Sequence, residues 1–311
     1  MKIAALQLNA EFADVKANLN KIEKHIASAS EQGARLVLLP EFFTSAIGFF
    51  DKMLNVALDD KGVHNQLVLW AEKYNIIIGG SYIAVEGEDA YNLFELVFPN
   101  GETYRHKKDI PTQFEGCYYT NGDEDNVLHT PIGNIGVALC WEMIRYDTVR
   151  RIAGKVDFVL AGSCWWDLPE DAPAEREPLR KYNQSLALNT PVEFARLIGV
   201  PVIHANHCGK VTAYNFPNGD TLQIRQLVGA AQIISGNGEV LARRSFDAGE
   251  GIVVAEVIRT HYTPKPIPNR YWIPNLPESY IRAWETANPK AREYYEEKTA
   301  PLYRRKENKK E

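Results

Sequence analysis

Gly136-Val137-Ala138-Leu139-Cys140-Trp141-Glu142-Met143 is the stretch on which the reading of this chain turns. An apolar run over residues 135–139 brings one cysteine to its end, and charged, helix-prone residues follow at once. That pattern spells a buried strand, a sharp turn and a helix start. A cysteine so placed faces helix N–H groups and the positive end of the helix dipole, which lower a thiol pKa. By itself the pattern favours a core cysteine, because free Cys is among the most buried residue types. The choice rests on what else arrives at strand ends.

Working outward, residues 3–8 form a strand, and Asp14 caps a helix whose apolar face is Leu19, Ile22, Ile26 and Ala29. Residues 36–39 form a second buried strand, a helix spans 66–73, and a third strand covers 76–79. This alternation predicts an α/β layer fold. Residues 91–98 and 102–106, joined at Asn100-Gly101, read as a hairpin, which excludes a purely parallel sheet. Beyond Cys140 a helix leads to a strand at 156–161, and the acidic, proline-bearing stretch 167–178 is a surface loop. Two helices are predicted at 179–188 and 192–197, with Pro191 in the first turn of the second. Strands follow at 201–205, 210–214, 229–234, 240–243 and 252–257. From Thr263 the chain is proline-rich, and it ends in a helix at 278–284 and a charged, fraying tail at 304–311.

The 311 residues suffice for one large domain or two ordinary ones, with 45% hydrophobic and 24% charged residues. A net charge of -5 gives no basic face for nucleic acid. The four cysteines form no C-x-x-C pair or disulfide framework, which fits a reducing compartment. No stretch reaches the apolar length of a membrane span or the form of a signal peptide, so a cytoplasmic protein is expected.

Three residues share one placement: Glu41, Lys107 and Cys140 each stand just past a strand. Ligand sites of α/β sheets gather at such carboxyl ends. A carboxylate, an ammonium and a thiol meeting there divide a reaction coherently. The carboxylate takes the thiol proton, the thiolate attacks an electrophilic carbon, and the ammonium stabilises the oxyanion. The competing reading of Glu41 and Lys107 is a strand-end ion pair of little energetic weight.

Leu38-Leu39-Pro40-Glu41-Phe42, His106-Lys107-Lys108-Asp109-Ile110-Pro111 and Leu139-Cys140-Trp141-Glu142 together resemble the three signature segments of the nitrilase superfamily of carbon–nitrogen hydrolases, in the family's order. The resemblance extends over residues 2–257. It implies a four-layer α-β-β-α sandwich, with a catalytic domain over 1–259 and a C-terminal extension over 260–311. It implies Glu41 as general base, Cys140 as nucleophile and, counting four residues back from Pro111, Lys107 as the stabilising lysine. Glu115, in the loop Phe114-Glu115-Gly116-Cys117-Tyr118-Tyr119, maps to a second glutamate that orients substrate or lysine. Trp141, Glu142, Trp165 and Tyr118 are the expected substrate-binding residues. The implied reaction is hydrolysis of a small amide or N-carbamoyl compound through a thioester, without metal or organic cofactor. Nitrile hydrolysis is the alternative, since Trp141-Glu142 follows the nitrilase pattern, and a catalytically silent binding module is the non-enzymatic one. His204 and His207 would face opposite sides of a strand and so do not suggest a metal site. The tail aromatics Tyr271, Trp272, Trp284, Tyr294 and Tyr295 stand outside the core pattern, and a homodimer burying them is expected.

Overall fold

The structure is a computed structural model that describes residues 1–307 apart from Glu124, Asn215 and Asn218. Of the predicted charged tail, residues 308–311 lie outside the described residues. The chain opens with β1 (Lys2–Leu8), α1 (Val15–Glu31), β2 (Leu36–Leu38), α2 (Asp60–Tyr74), β3 (Ile77–Glu86), β4 (Asp89–Val97) and β5 (Thr103–Lys107). It continues through β6 (Val127–Thr130), β7 (Gly133–Val137), α3 (Tyr146–Ile152), β8 (Phe158–Ser163), β9 (Trp166–Pro169), α4 (Glu177–Ile198) and β10 (Val202–Tyr214). β11 (Leu222–Val228), β12 (Gln232–Ile234), β13 (Val240–Arg243) and β14 (Gly251–Glu256) complete the sheets, and α5 (Glu278–Tyr294) and α6 (Ala300–Glu307) end the chain.

Strand parity builds the layers. On β1, Ile3 and Ala5 face one apolar cluster while Ala4, Leu6 and Leu8 face another. Leu36 and Leu38 on β2, Phe158 and Leu160 on β8, and Ile203 and Ala205 on β10 enter the same cluster as Ile3 and Ala5. Their alternates Val159, Ala161 and Val202 turn outward to Val149, Phe194 and Ile198 on α3 and α4. Successive side chains of a strand point to opposite faces. One parity therefore fills the space between two sheets, and the other packs each sheet against its own helices. The result is the four-layer α-β-β-α sandwich. One half of the sheet runs β5-β4-β3-β2-β1 and the other β10-β8-β7-β6. They join where the last two residues of β1 run parallel to β10, at Gln7 beside Asn206 and Leu8 beside His207. The rest of β1 pairs antiparallel with β14.

The expected hairpin is β4–β5, with Val97 opposite Thr103. Other elements differ from expectation. The two helices predicted around Pro191 are one helix, α4, with Pro191 inside it. Thr190, Pro191 and Val192 are buried against the core, and that packing outweighs the missing backbone donor. The strands expected at 201–205 and 210–214 are the single thirteen-residue β10. Its second half leaves the main sheet and pairs with β11, which in turn pairs with β9.

The tail aromatics find part of their burial inside the chain. Trp284 stacks on Trp141 at 5.6 Å and 12°, and Trp272 meets both rings edge-on. Tyr295 is buried and its hydroxyl accepts the Ala90 N–H at 2.8 Å. Tyr271, Trp272, Trp284 and Tyr294 remain partly exposed, so part of their burial is supplied within the chain itself. The 3₁₀ segment Gln113–Cys117 packs against α5. Among the described residues no helix is long and apolar enough to cross a membrane.

Candidate active site

Three backbone segments converge at the carboxyl ends of β2, β5 and β7. β2 is followed by Leu39-Pro40-Glu41, held to β3 by the Leu39 N–H on the Gly79 carbonyl and the Phe43 N–H on Ser81. Gly162 on β8 makes room for this turn, because a Cβ there would stand 2.8 Å from the Glu41 nitrogen. Glu41 is fully buried. Its Oε1 accepts from Lys108 Nζ at 2.8 Å and Asn92 Nδ2 at 2.9 Å, and its Oε2 accepts the Cys164 N–H at 3.1 Å.

The lysine in this cluster is Lys108. It is fully buried and donates to Glu41 at 2.8 Å, Glu115 Oε2 at 2.8 Å and Thr112 Oγ1 at 3.0 Å. Its backbone is pinned by Asn92 on one side and Gly122 on the other. A Cβ on Gly122 would fall 2.4 Å from the Lys107 carbonyl oxygen, so only glycine permits that approach. Lys107, the lysine chosen by spacing from Pro111, instead bridges to Glu86 at 2.9 Å and lies over the Tyr91 ring. The reason is parity. His106 pairs with Phe94, whose side chain lies between the sheets, whereas Lys107 pairs with Leu93, which faces the helix layer. Two residues apart, His106 and Lys108 share the inner side.

Glu115 stands where the loop reading put it. Its Oε2 also accepts from the Tyr119 hydroxyl at 2.5 Å and the Thr112 N–H at 3.1 Å. Cys140 opens the turn Cys140–Ile144 after β7, with the left-handed φ of 49°. Phe42 and Gln113, beside Glu41 and the Lys108 loop, have φ of 53° and 55°. Such conformations are strained for L residues with side chains and concentrate where surrounding structure holds a site in place.

Burial dominates the titration of this cluster. It raises the Glu41 carboxyl to about 7, against the lowering pull of Lys108, with Glu115 adding to the rise. Burial, then the charge of Glu41, pushes the Cys140 thiol well above its ordinary value. Lys108 is also disfavoured by burial, yet Glu115 and Glu41 outweigh that and hold its ammonium charged. The resting thiol is therefore protonated, beside a carboxyl that changes state near neutrality and a fixed cation.

Cys140, Cys164, Thr112 and Glu115 line a cavity of about 320 Å³. Trp141 and Trp165 line it as expected, joined by Phe49, Phe114 and Trp166. Two expected substrate residues are elsewhere. Glu142 is fully buried outside this lining, accepting from Leu139 N–H at 2.7 Å and Asp109 N–H at 3.0 Å, with His106 Nε2 at 3.2 Å. It ties the Cys140 turn to the Lys108 loop. Tyr118 sits behind the wall, its ring stacked on Phe49 and its hydroxyl accepting the Phe50 N–H. The residues that sequence reading missed are Lys108, Asn92, Thr112 and Tyr119, together with Arg176, Arg225, Ser279, Tyr280 and Ala283 in the cavity wall. The last three come from α5, so the C-terminal segment completes the site. For Lys108, a strand-parity count from His106 was the available signal; for α5 there was none.

His204 bonds Ser163 at 2.9 Å and His207 bonds the Glu41 carbonyl at 2.7 Å, and burial lowers each to about 4, so both are neutral structural groups. Among the described residues no three His, Cys, Asp or Glu side chains gather as metal ligands.

Comparison with known proteins places these features in a family. The carbon-nitrogen hydrolase family profile matches residues 2–264. Nitrilase 3 of Arabidopsis thaliana is 31% identical over 168 residues, 46% of this chain and 47% of the relative. A citrullinase of Francisella tularensis is 30% identical over 169 residues, 50% of this chain and 58% of the relative. The chain thus spans about half the length of the curated relatives it matches. The amidase of Nesterenkonia sp. AN1 shares the fold, with a TM-score of 0.66 over 83% of this chain and 93% of that one, at 22% identity. The chain belongs to the carbon–nitrogen hydrolase family, within the nitrilase superfamily.

Proposed function

We propose that the protein hydrolyses a small amide or N-carbamoyl compound, with Cys140 as nucleophile, Glu41 as general base and Lys108 in the role that spacing had assigned to Lys107. The observation that carries this reading is the Lys108 ammonium, held 2.8 Å from both Glu41 and Glu115 beside Cys140. The Glu41 carboxylate takes the Cys140 proton, and the thiolate attacks the amide carbon, forming the S–C bond and an oxyanion. Lys108 and the Trp141 backbone N–H, in a turn whose first N–H groups have no intrahelical acceptor, stabilise that oxyanion. The C–N bond breaks as the nitrogen receives the proton from Glu41, and ammonia or an amine leaves. Water, deprotonated by Glu41, attacks the thioester carbon, the C–S bond breaks, and the proton returns to Cys140. The balance is amide plus water to acid plus amine.

Glu115 holds Lys108 from the side opposite Glu41, and Tyr119 holds Glu115. The likeness to a citrullinase and an amidase supports an amide or carbamoyl substrate. The likeness to a nitrilase and the dipeptide Trp141-Glu142 support a second reading, nitrile hydrolysis by the same residues. Ammonia release from a panel of amides, carbamoyl compounds and nitriles decides between them. Amide turnover, abolished in Cys140→Ala with loss of the acyl adduct by mass spectrometry, is the expected result. Nitrile turnover without amide turnover would overturn the first reading, and full activity of Cys140→Ala would overturn both.

A further inference from the structure

The cavity that holds Cys140 is also lined by two arginines, Arg176 and Arg225, and their surroundings differ from those of every other cation at the site. Arg225, on β11, lies with its guanidinium 5.2 Å over the Trp166 ring. It donates through Nη2 to Gln223 at 2.9 Å, while its Nε is buried and has no hydrogen-bond partner. Among the described residues no carboxylate lies within 4.0 Å of either arginine. The acids that line the cavity are already engaged. Glu115 is held by Lys108, and Asp167 by Arg180 at 3.5 Å and Gln184 at 2.7 Å. Burial and the like charge of Arg176 both lower the Arg225 pKa, so the pair repels in a partly dry wall. Buried guanidinium donors are normally satisfied, and the fork of an arginine matches a carboxylate bidentately.

The charges around Cys140 and around Arg225 are different. Cys140 is influenced by Glu41, Lys108 and Glu115, whereas Arg225 is influenced by Arg176 and Tyr280. The cavity that both line has a volume of about 320 Å³, room for one small substrate. We propose that the substrate is a short amide or carbamoyl compound that carries a carboxylate away from its scissile C–N bond, held by Arg225 over Trp166 with Arg176 at the exposed mouth. This rests on the hydrolase reading above and adds the substrate's second anchor. A monoamide of a short dicarboxylic acid has both features, and its hydrolysis releases ammonia and the dicarboxylate.

The test compares kcat/KM for glutaramate, for N-carbamoyl-β-alanine, which places the carboxylate on the leaving side, and for butyramide, which has none. The expected result is a preference of at least about tenfold for one of the carboxylates over butyramide, the size of a charged hydrogen bond. In Arg225→Gln that ratio falls at least about tenfold, chiefly through KM, and Arg225→Lys restores part of it. Arg176→Gln, at an exposed position, gives a smaller fall and serves if the Arg225 variants do not fold. Calorimetric binding of glutarate to Cys140→Ala, with and without Arg225→Gln, supplies a readout independent of turnover. Equal turnover of butyramide and the carboxylates overturns the anion anchor and leaves the hydrolase reading intact. Arg225-dependent glutarate binding without hydrolysis of any panel compound supports the anchor and overturns the hydrolase reading. Neither binding nor turnover overturns both.

Discussion

Glu41 and Glu142 are both fully excluded from solvent, and both are reached by the same short segment, residues 106–109. Their surroundings drive them apart. Burial is the largest influence on each and raises both. At Glu142 it is overwhelmed by His106, Arg145 and the Asp109 N–H, which hold the carboxyl far below the usual range. At Glu41 the single cation Lys108 is shared with Glu115, whose charge repels, and the carboxyl stays near 7. One carboxylate is saturated with donors and serves as a fixed post. The other is left short of positive charge and can exchange a proton. The difference teaches that burial leaves a carboxyl with a raised pKa only where the surrounding donors and cations compensate it incompletely.

The largest effect that tests this contrast is on turnover. Glu41→Gln is expected to lower kcat by about 10²–10⁴-fold, the range for a lost general base. Lys108→Ala is expected to lower it by about 10²–10³-fold. Should Lys107→Ala prove the more damaging lysine variant, the assignment of the reactive cluster is wrong.

Next comes stability. Glu142→Ala leaves His106 and the N–H groups of Leu139 and Asp109 without their buried partner, and urea unfolding is expected to show a loss of about 3–5 kcal/mol. A variant as stable as the wild type would remove Glu142 from its role as a post.

The pH dependences should then run in different ranges. A raised Glu41 holds its proton up to about 7, so kcat/KM should fall about tenfold per unit below that value and level off above it. A lowered Glu142 stabilises the fold above the usual carboxylate range, and that stability should fade as pH drops through and below it. Activity should thus be lost near neutrality while the protein remains folded, and coincident activity and unfolding curves would merge the two clusters into one.

Trp284→Ala removes the ring stacked on Trp141 and should lower stability by about 0.5–1.5 kcal/mol for the stacking alone, with a rise in KM. The smallest effect is expected at the partly exposed bridge from Lys107 to Glu86, where Lys107→Ala should change stability by about 0.2–1 kcal/mol and kcat by less than about twofold.

Much of the site was legible because it sits where periodicity is strongest. The strand reading over 36–39 delivered Glu41, and that over 135–139 delivered Cys140, to the two ends that the structure brings together. The hairpin delivered a pair of lysines, and spacing from Pro111 selected Lys107 where the structure sets Lys108 against Glu41, because a count along the chain ignores which face of the strand each residue occupies. Glu142 and Tyr118 were misplaced for a related reason. Neighbours of a reactive residue in sequence point to different sides of a tight turn, and a side chain next to Cys140 need not share its cavity.

The sequence by itself determined an α/β fold and the strand ends that carry Glu41 and Cys140, which follow from local apolar alternation, and its short motifs carried the family resemblance that implied the four layers. Only the tertiary structure decided that Lys108 rather than Lys107 meets Glu41, that α5 returns to wall the cavity, and that Arg225 stands there with no carboxylate of the described residues within 4.0 Å. Those outcomes depend on strand register and on packing between segments from about sixty to more than a hundred residues apart, where no local periodicity reaches.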